Sequence, residues 1–193
     1  MYPRARLDAL SDAIFGVAMT LLVLDVRLPD EFRPHDAAQL LAGLRELVPK
    51  LVPYVLSFLV LGLRWLSTIQ IRSRTEGYGR DYTGWWLIYL LLITCVPFTT
   101  IVVGRFGDLA PAIWLYAGNT ALIGLVSFRL MARTPALEQD DLLRDRQVSL
   151  AILIASSLLA IAVSSISPRH ALWAFVLNFA SPQVGRWWAR KSA

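Results

Sequence analysis

A succession of apolar blocks, each close to twenty residues long and separated by short charged segments, constrains this chain more than any other feature. A helix rising ~1.5 Å per residue needs ~20 apolar residues to cross a hydrocarbon core of ~30 Å. Inside lipid the backbone must satisfy its own polar groups, which leaves helices or closed barrels as solutions. Six blocks meet the helical requirement, at about residues 7–28, 51–71, 85–103, 112–131, 148–166 and 171–188. The chain therefore reads as an all-α integral membrane protein with six transmembrane helices, and residues 1–193 as one six-helix domain. Its composition is 56% hydrophobic, above the ~45–50% of soluble domains.

The charges orient the spans. Twelve Lys and Arg fall in one alternating set of segments, from Arg4 and Arg6 through Arg80, Arg129 and Arg133 to Lys191. Six fall in the opposite set: Arg27, Arg33, Arg45, Lys50, Arg105 and Arg169. The positive-inside rule places both termini in the cytoplasm of a multi-pass cell-membrane protein. Trp65, Trp85 and Trp86 lie near inner span ends, and Trp114 and Trp173 near outer ones, as an interfacial belt would. The net charge of +5 is spread over these segments, so membrane lipid rather than nucleic acid is the expected partner. Acidic Asp8 and Asp12, with no small-x-small site after Leu24, argue against a cleaved signal peptide.

Other chemistry is scarce. The single cysteine, Cys95, lies inside an apolar block, and His35 and His170 sit in separate loops. No metal motif, glycine-rich phosphate loop or nucleophile–base pair is present, so neither an enzyme nor a bound cofactor is expected. In the longest outer segment, Asp36 is placed to cap a short helix carrying Leu40, Leu41, Leu44, Leu47 and Val48 at helical spacing. That helix reads as an amphipathic connector or a cover over a mouth.

The first span carries the densest information. Val17, Thr20, Leu21 and Leu24 form one stripe at i, i+3, i+4 and i+7, with Ala13 and Leu28 extending it. Such a stripe can face lipid, pack on a neighbour, or line a narrow pore that opens by wetting. Ala13, Gly16 and Ala18 are small enough for another helix to approach closely. Carboxylates within a span turn toward protein or water. Asp12 and Arg64 lie at comparable depth from the inner side, so an ion pair or shared polar network is one reading and helix capping by Asp8 or Asp12 the other. Asp25, near the outer end, either forms a cation-attracting ring in an oligomer or pairs with Arg27 or a loop cation.

Arg6-Leu-Asp-Ala-Leu10-Ser11-Asp12 resembles the R-x-x-x-F-S-D signature of the transmembrane protein 175 family of potassium-permeable cation channels. The following AIFGVAMTLLVLDVRLP is similar to its continuation, and YVLSFLVLGLRW and VPFTT echo the second and third spans. The resemblance implies a homotetramer of six-span subunits whose first helices wall one central pore. It implies a hydrophobic constriction at Val17, Leu21 and Leu24, with the Thr20 hydroxyl associated with preference for K+ over Na+ and other monovalent cations. It implies that Arg6, Ser11 and Asp12 hold the pore helices in register. Leu10 replaces the family's Phe, Ser67-Thr68 stands where a His-containing segment is common, and Arg64 occupies a position that is often aromatic. The TVGYG loop is missing here, as it is in that family. Two other functions are compatible with the residues: a small proton-coupled or cation transporter using Asp12 and Arg64, and a non-conducting membrane scaffold.

Overall fold

The computed structural model describes residues 2–70, 77–133 and 140–180. Helix α1 (Arg4–Leu21) opens the fold, stapled in its first turn by an Arg4–Asp8 ion pair at 3.3 Å. It tightens into a 3₁₀ turn over Leu22–Asp25 before Pro29. Helix α2 (Ala37–Glu46) follows, and Asp36 caps it as expected, accepting from the Gln39 amide at 2.7 Å. Gln39 reciprocates, its Oε1 accepting from the His35 amide, so two otherwise orphaned donors are met. Then come α3 (Val48–Gln70), α4 (Arg80–Phe106), α5 (Ala110–Met131) and α6 (Asp140–Ser164).

Among the described residues, five helices are long and apolar enough to cross a membrane: residues Arg4–Asp25, Val48–Ile69, Arg80–Phe106, Ala110–Met131 and Asp145–Ser164. They match the first five expected spans with ends displaced by a few residues. The sixth expected span behaves differently over its described part. One turn of α-helix, α7 (Pro168–Ala171), passes into a 3₁₀ stretch over Leu172–Ala180, and residues 181–188 lie outside the described residues. The only strands among the described residues are two short ones: β1 (Tyr2–Pro3) pairs antiparallel with β2 (Gly77–Tyr78), which fixes the start of α1 beside the start of α4.

Helix α4 is packed on by α1, α3 and α5. Phe15, Leu22, Leu61, Leu90 and Ile93 are buried where these helices meet. A column of rings climbs one end of this core, Tyr78 on Tyr82 at 4.2 Å, Tyr82 on Trp86 at 5.8 Å and Trp86 on Tyr89 at 5.6 Å. A second cluster, with Ile113, Tyr116, Ala160 and Phe175, joins α5 and α6 to the 3₁₀ stretch. Hydroxyls link three helices across the interior: Thr100 Oγ1 donates to Ser57 Oγ at 2.8 Å, and Ser57 Oγ donates to Tyr116 Oη at 3.0 Å. Interhelical hydrogen bonds and close packing hold such bundles where the hydrophobic effect between helices is weak.

Ion pairs sort the ends of the bundle. Arg133 meets Asp81 at 3.1 Å at the end where β1 and β2 pair. Arg105 meets Asp25, and Arg169 meets Asp108, at the opposite end. Trp85 lies under two cations at the first end, Arg129 at 4.6 Å and Arg133 at 5.6 Å from its ring centre. Trp86, read from sequence as an interfacial residue, is instead buried in the core.

Candidate functional site

Two faces of α1 have opposite fates. Leu7, Ser11, Phe15, Ala18 and Leu22, spaced at i, i+4, i+8, i+11 and i+15, are buried against α3 and α4. The other face carries Ala13, Gly16, Val17, Thr20, Leu21 and Leu24, all exposed in the single chain. Val17 is 57% exposed and Leu24 63%, against 1% for Phe15 and Leu22 on the packed face. The helix therefore leaves one apolar stripe outside its own core. A shallow groove between α1 and α4, lined by Ala13, Ile14, Val17, Leu21 and Thr94, runs beside this stripe. A side chain at Gly16 would meet nothing within 4 Å, so the backbone is open to a close neighbour.

Thr20 is the one hydroxyl on the exposed stripe. Its Oγ1 lies 3.0 Å from the Gly16 carbonyl and 2.9 Å from that of Val17, and donates its proton to them. The proton is thus committed to the helix backbone, which leaves the oxygen lone pairs for an acceptor role away from it.

The signature residues are held by indoles. Ser11 is 1% exposed; its Oγ donates to the Leu7 carbonyl and accepts from Trp86 Nε1, both at 3.0 Å. Asp12 Oδ1 accepts from Trp65 Nε1 at 2.9 Å. Arg6 is exposed at the same end of α1. Sequence reasoning missed both tryptophans as partners. Their signal was chemical: an indole has one donor and no acceptor, and inside a bundle it seeks an oxygen.

The structure does not bring Asp12 and Arg64 together. Arg64, 4% exposed, turns to the far side of α3, where its Nη2 donates to Ser149 Oγ on α6. The adjacent Trp65 takes the carboxylate instead, because successive helical residues point about 100° apart. Asp25 does not pair with Arg27 either. Arg105 Nε reaches it at 2.9 Å from the end of α4, while Arg27 turns to Asp30 at 3.5 Å. Among the described residues no group of His, Cys, Asp or Glu is placed to hold a metal ion.

The fold is that of an all-helical, multi-pass membrane protein whose first helix leaves one apolar face outside the core of the chain. Comparison with known proteins names the group. Residues 6–97 match the profile of the endosomal/lysosomal potassium channel TMEM175. A potassium channel of Streptomyces collinus is 31% identical over 106 residues, covering 55% of this chain and 50% of that one. A potassium channel of Chamaesiphon minutus is 29% identical over 128 residues, 65% and 63% of the two chains. These matches therefore span only about half to three fifths of the curated relatives. The crystal structure of a lysosomal potassium-selective channel TMEM175 homolog from Chamaesiphon minutus superposes with a TM-score of 0.78 at 26% identity, covering 94% of this chain and 97% of that one. The chain is thus similar to the TMEM175 family, over residues 6–97 in sequence and over nearly its whole length in fold.

Proposed function

We propose that this chain is a potassium-permeable, weakly selective cation channel whose pore is walled by α1 from four copies, each a single domain over residues 1–193. The bare stripe of α1 carries the proposal: Val17, Leu21 and Leu24, apolar residues of its first span, are exposed in one chain. Four such stripes around an axis bury one another and make successive hydrophobic layers. Water leaves a narrow apolar passage, and a hydrated ion then meets a barrier that a small widening removes. Thr20, between the Val17 and Leu21 layers, offers oxygen lone pairs to a partly dehydrated K+. One hydroxyl ring replaces little of a hydration shell, so preference over Na+ and other monovalent cations is modest.

In this reading Ser11 and Asp12, fixed by Trp86 and Trp65, set the rotation of α1 that turns the stripe inward, and Arg6 acts at the same end. Six spans, with both termini cytoplasmic in the cell membrane, complete the subunit. The lysines and arginines support that orientation. At the outer mouth Asp25 is cation-attracting only to the extent that Arg105 leaves its charge uncompensated. Bilayer recording of purified protein under opposed K+ and Na+ gradients tests the function. A reversal potential displaced toward that of K+ is expected. Saturable counterflow without electrodiffusive current would show a carrier, and a stable oligomer without flux a scaffold.

A further inference from the structure

On the far side of α3 from the proposed pore, a small, partly open cavity lies among α3, α4, α5 and α6. Arg64, Tyr89, Ser127 and Arg146 line it, with Thr68 and Leu150. It thus gathers two guanidinium groups, and no carboxylate among the described residues lines it. Arg64 is 4% exposed, and its Nε has no hydrogen-bond partner in the structure. Of its five N–H donors, the contact described above uses one, through Nη2 to Ser149. Asp145, the acid nearest Arg146 in sequence, is exposed, and Asp12 is held by Trp65.

A buried guanidinium beside a second, partly buried one, with no carboxylate of the described residues lining the space, is costly, and a buried ion in a protein is ordinarily paired. The hydroxyls of the wall do not supply the missing charge. Thr68, Ser67 and Ser127 donate to the carbonyls of Trp65, Leu63 and Ile123 in their own helices. Water in the cavity would accept from Arg64 Nε but would leave both charges uncompensated. The space is about 10 Å³ measured to the centre of a water-sized sphere, room for about one small particle and too little for a phosphate group.

We propose that Arg64 and Arg146 form a binding site for one small monovalent anion of the chloride class, which neutralises the pair and ties α3 to α6. The site lies in the helical bundle away from the α1 stripe, so its role is structural and does not depend on conduction. A cation channel that carries its own buried counter-ion would be stabilised by chloride while not conducting it.

The test uses the full chain in detergent. At fixed K+ concentration, replacing gluconate with chloride is expected to raise Tm by a few degrees, and Arg64→Met and Arg146→Met to abolish that dependence. Crystals of the unmodified chain soaked in bromide are expected to show one anomalous peak within hydrogen-bonding reach of Arg64 Nε, which decides the matter should a variant fail to fold. No peak, with equal Tm in the two anions, overturns the proposal. A peak without a Tm response means an adventitious ion only and also overturns it. A Tm that follows added anionic phospholipid but ignores chloride assigns the pair to a lipid phosphate instead. Since neither readout involves current, a failed anion site and a failed channel remain distinct results.

Discussion

Arg105 closes on Asp25 from the last turn of α4, Nε to Oδ1 at 2.9 Å, and leaves the carboxylate side chain only 11% exposed. Eighty residues separate the two in sequence. An acid that could have recruited cations at the end of the first helix is thereby partnered from another helix, and the arginine decides how much of its charge reaches solvent.

Arg105→Gln is therefore expected to raise single-channel conductance severalfold at low salt, by freeing the Asp25 charge to concentrate cations. The gain should vanish in about 1 M KCl, where the screening length falls to ~3 Å. Conductance measured at both salt concentrations checks this, and adding Asp25→Asn to the variant should remove the effect.

Ser11→Ala leaves Trp86 Nε1 buried without an acceptor, at a cost of about 1–3 kcal/mol. Removing both polar groups is far less harmful than orphaning one. The double variant Ser11→Ala with Trp86→Phe should thus lose less stability than the two single losses added together. Thermal unfolding in detergent across the four proteins measures the coupling.

Val17→Ala and Leu21→Ala should each raise leak current, because a shorter side chain widens an apolar layer and lets water enter. Neither should lower Tm much in the isolated chain, since both residues are exposed there. Unchanged conductance across the pair would remove α1 from the pore wall.

Thr20→Val keeps the shape of the side chain and deletes its oxygen. The ratio of K+ to Na+ permeability, read from bi-ionic reversal potentials, should fall toward unity. Thr20→Ser, which keeps the oxygen, should hold it near the original value.

How far these features were legible depended on their range in sequence. The α1 stripe and the Asp36 cap follow from spacing within one helix, and the structure has the cap in place and that stripe exposed. The first five spans were legible because hydropathy over twenty residues is a strong local signal. The sixth was not resolved this way. Leu172–Ala180 is as apolar as a span requires, yet it adopts a 3₁₀ path, and apolarity alone does not choose between helical forms. Depth along the bundle brings Asp12 and Arg64 level, but rotation about α3 hands the carboxylate to Trp65. Closeness to a span end points Trp86 to the interface, whereas its ring is buried against Tyr82 and Tyr89 and its N–H is met by Ser11, 75 residues away.

One consequence follows from how α1 is fastened. Its start is tied down by the pairing of Tyr2–Pro3 with Gly77–Tyr78, and its far tip by Arg105. Between these moorings its own chain grips it from one side alone. A rod anchored at both tips and supported along one flank is least restrained at mid-length, where Gly16 and Val17 sit.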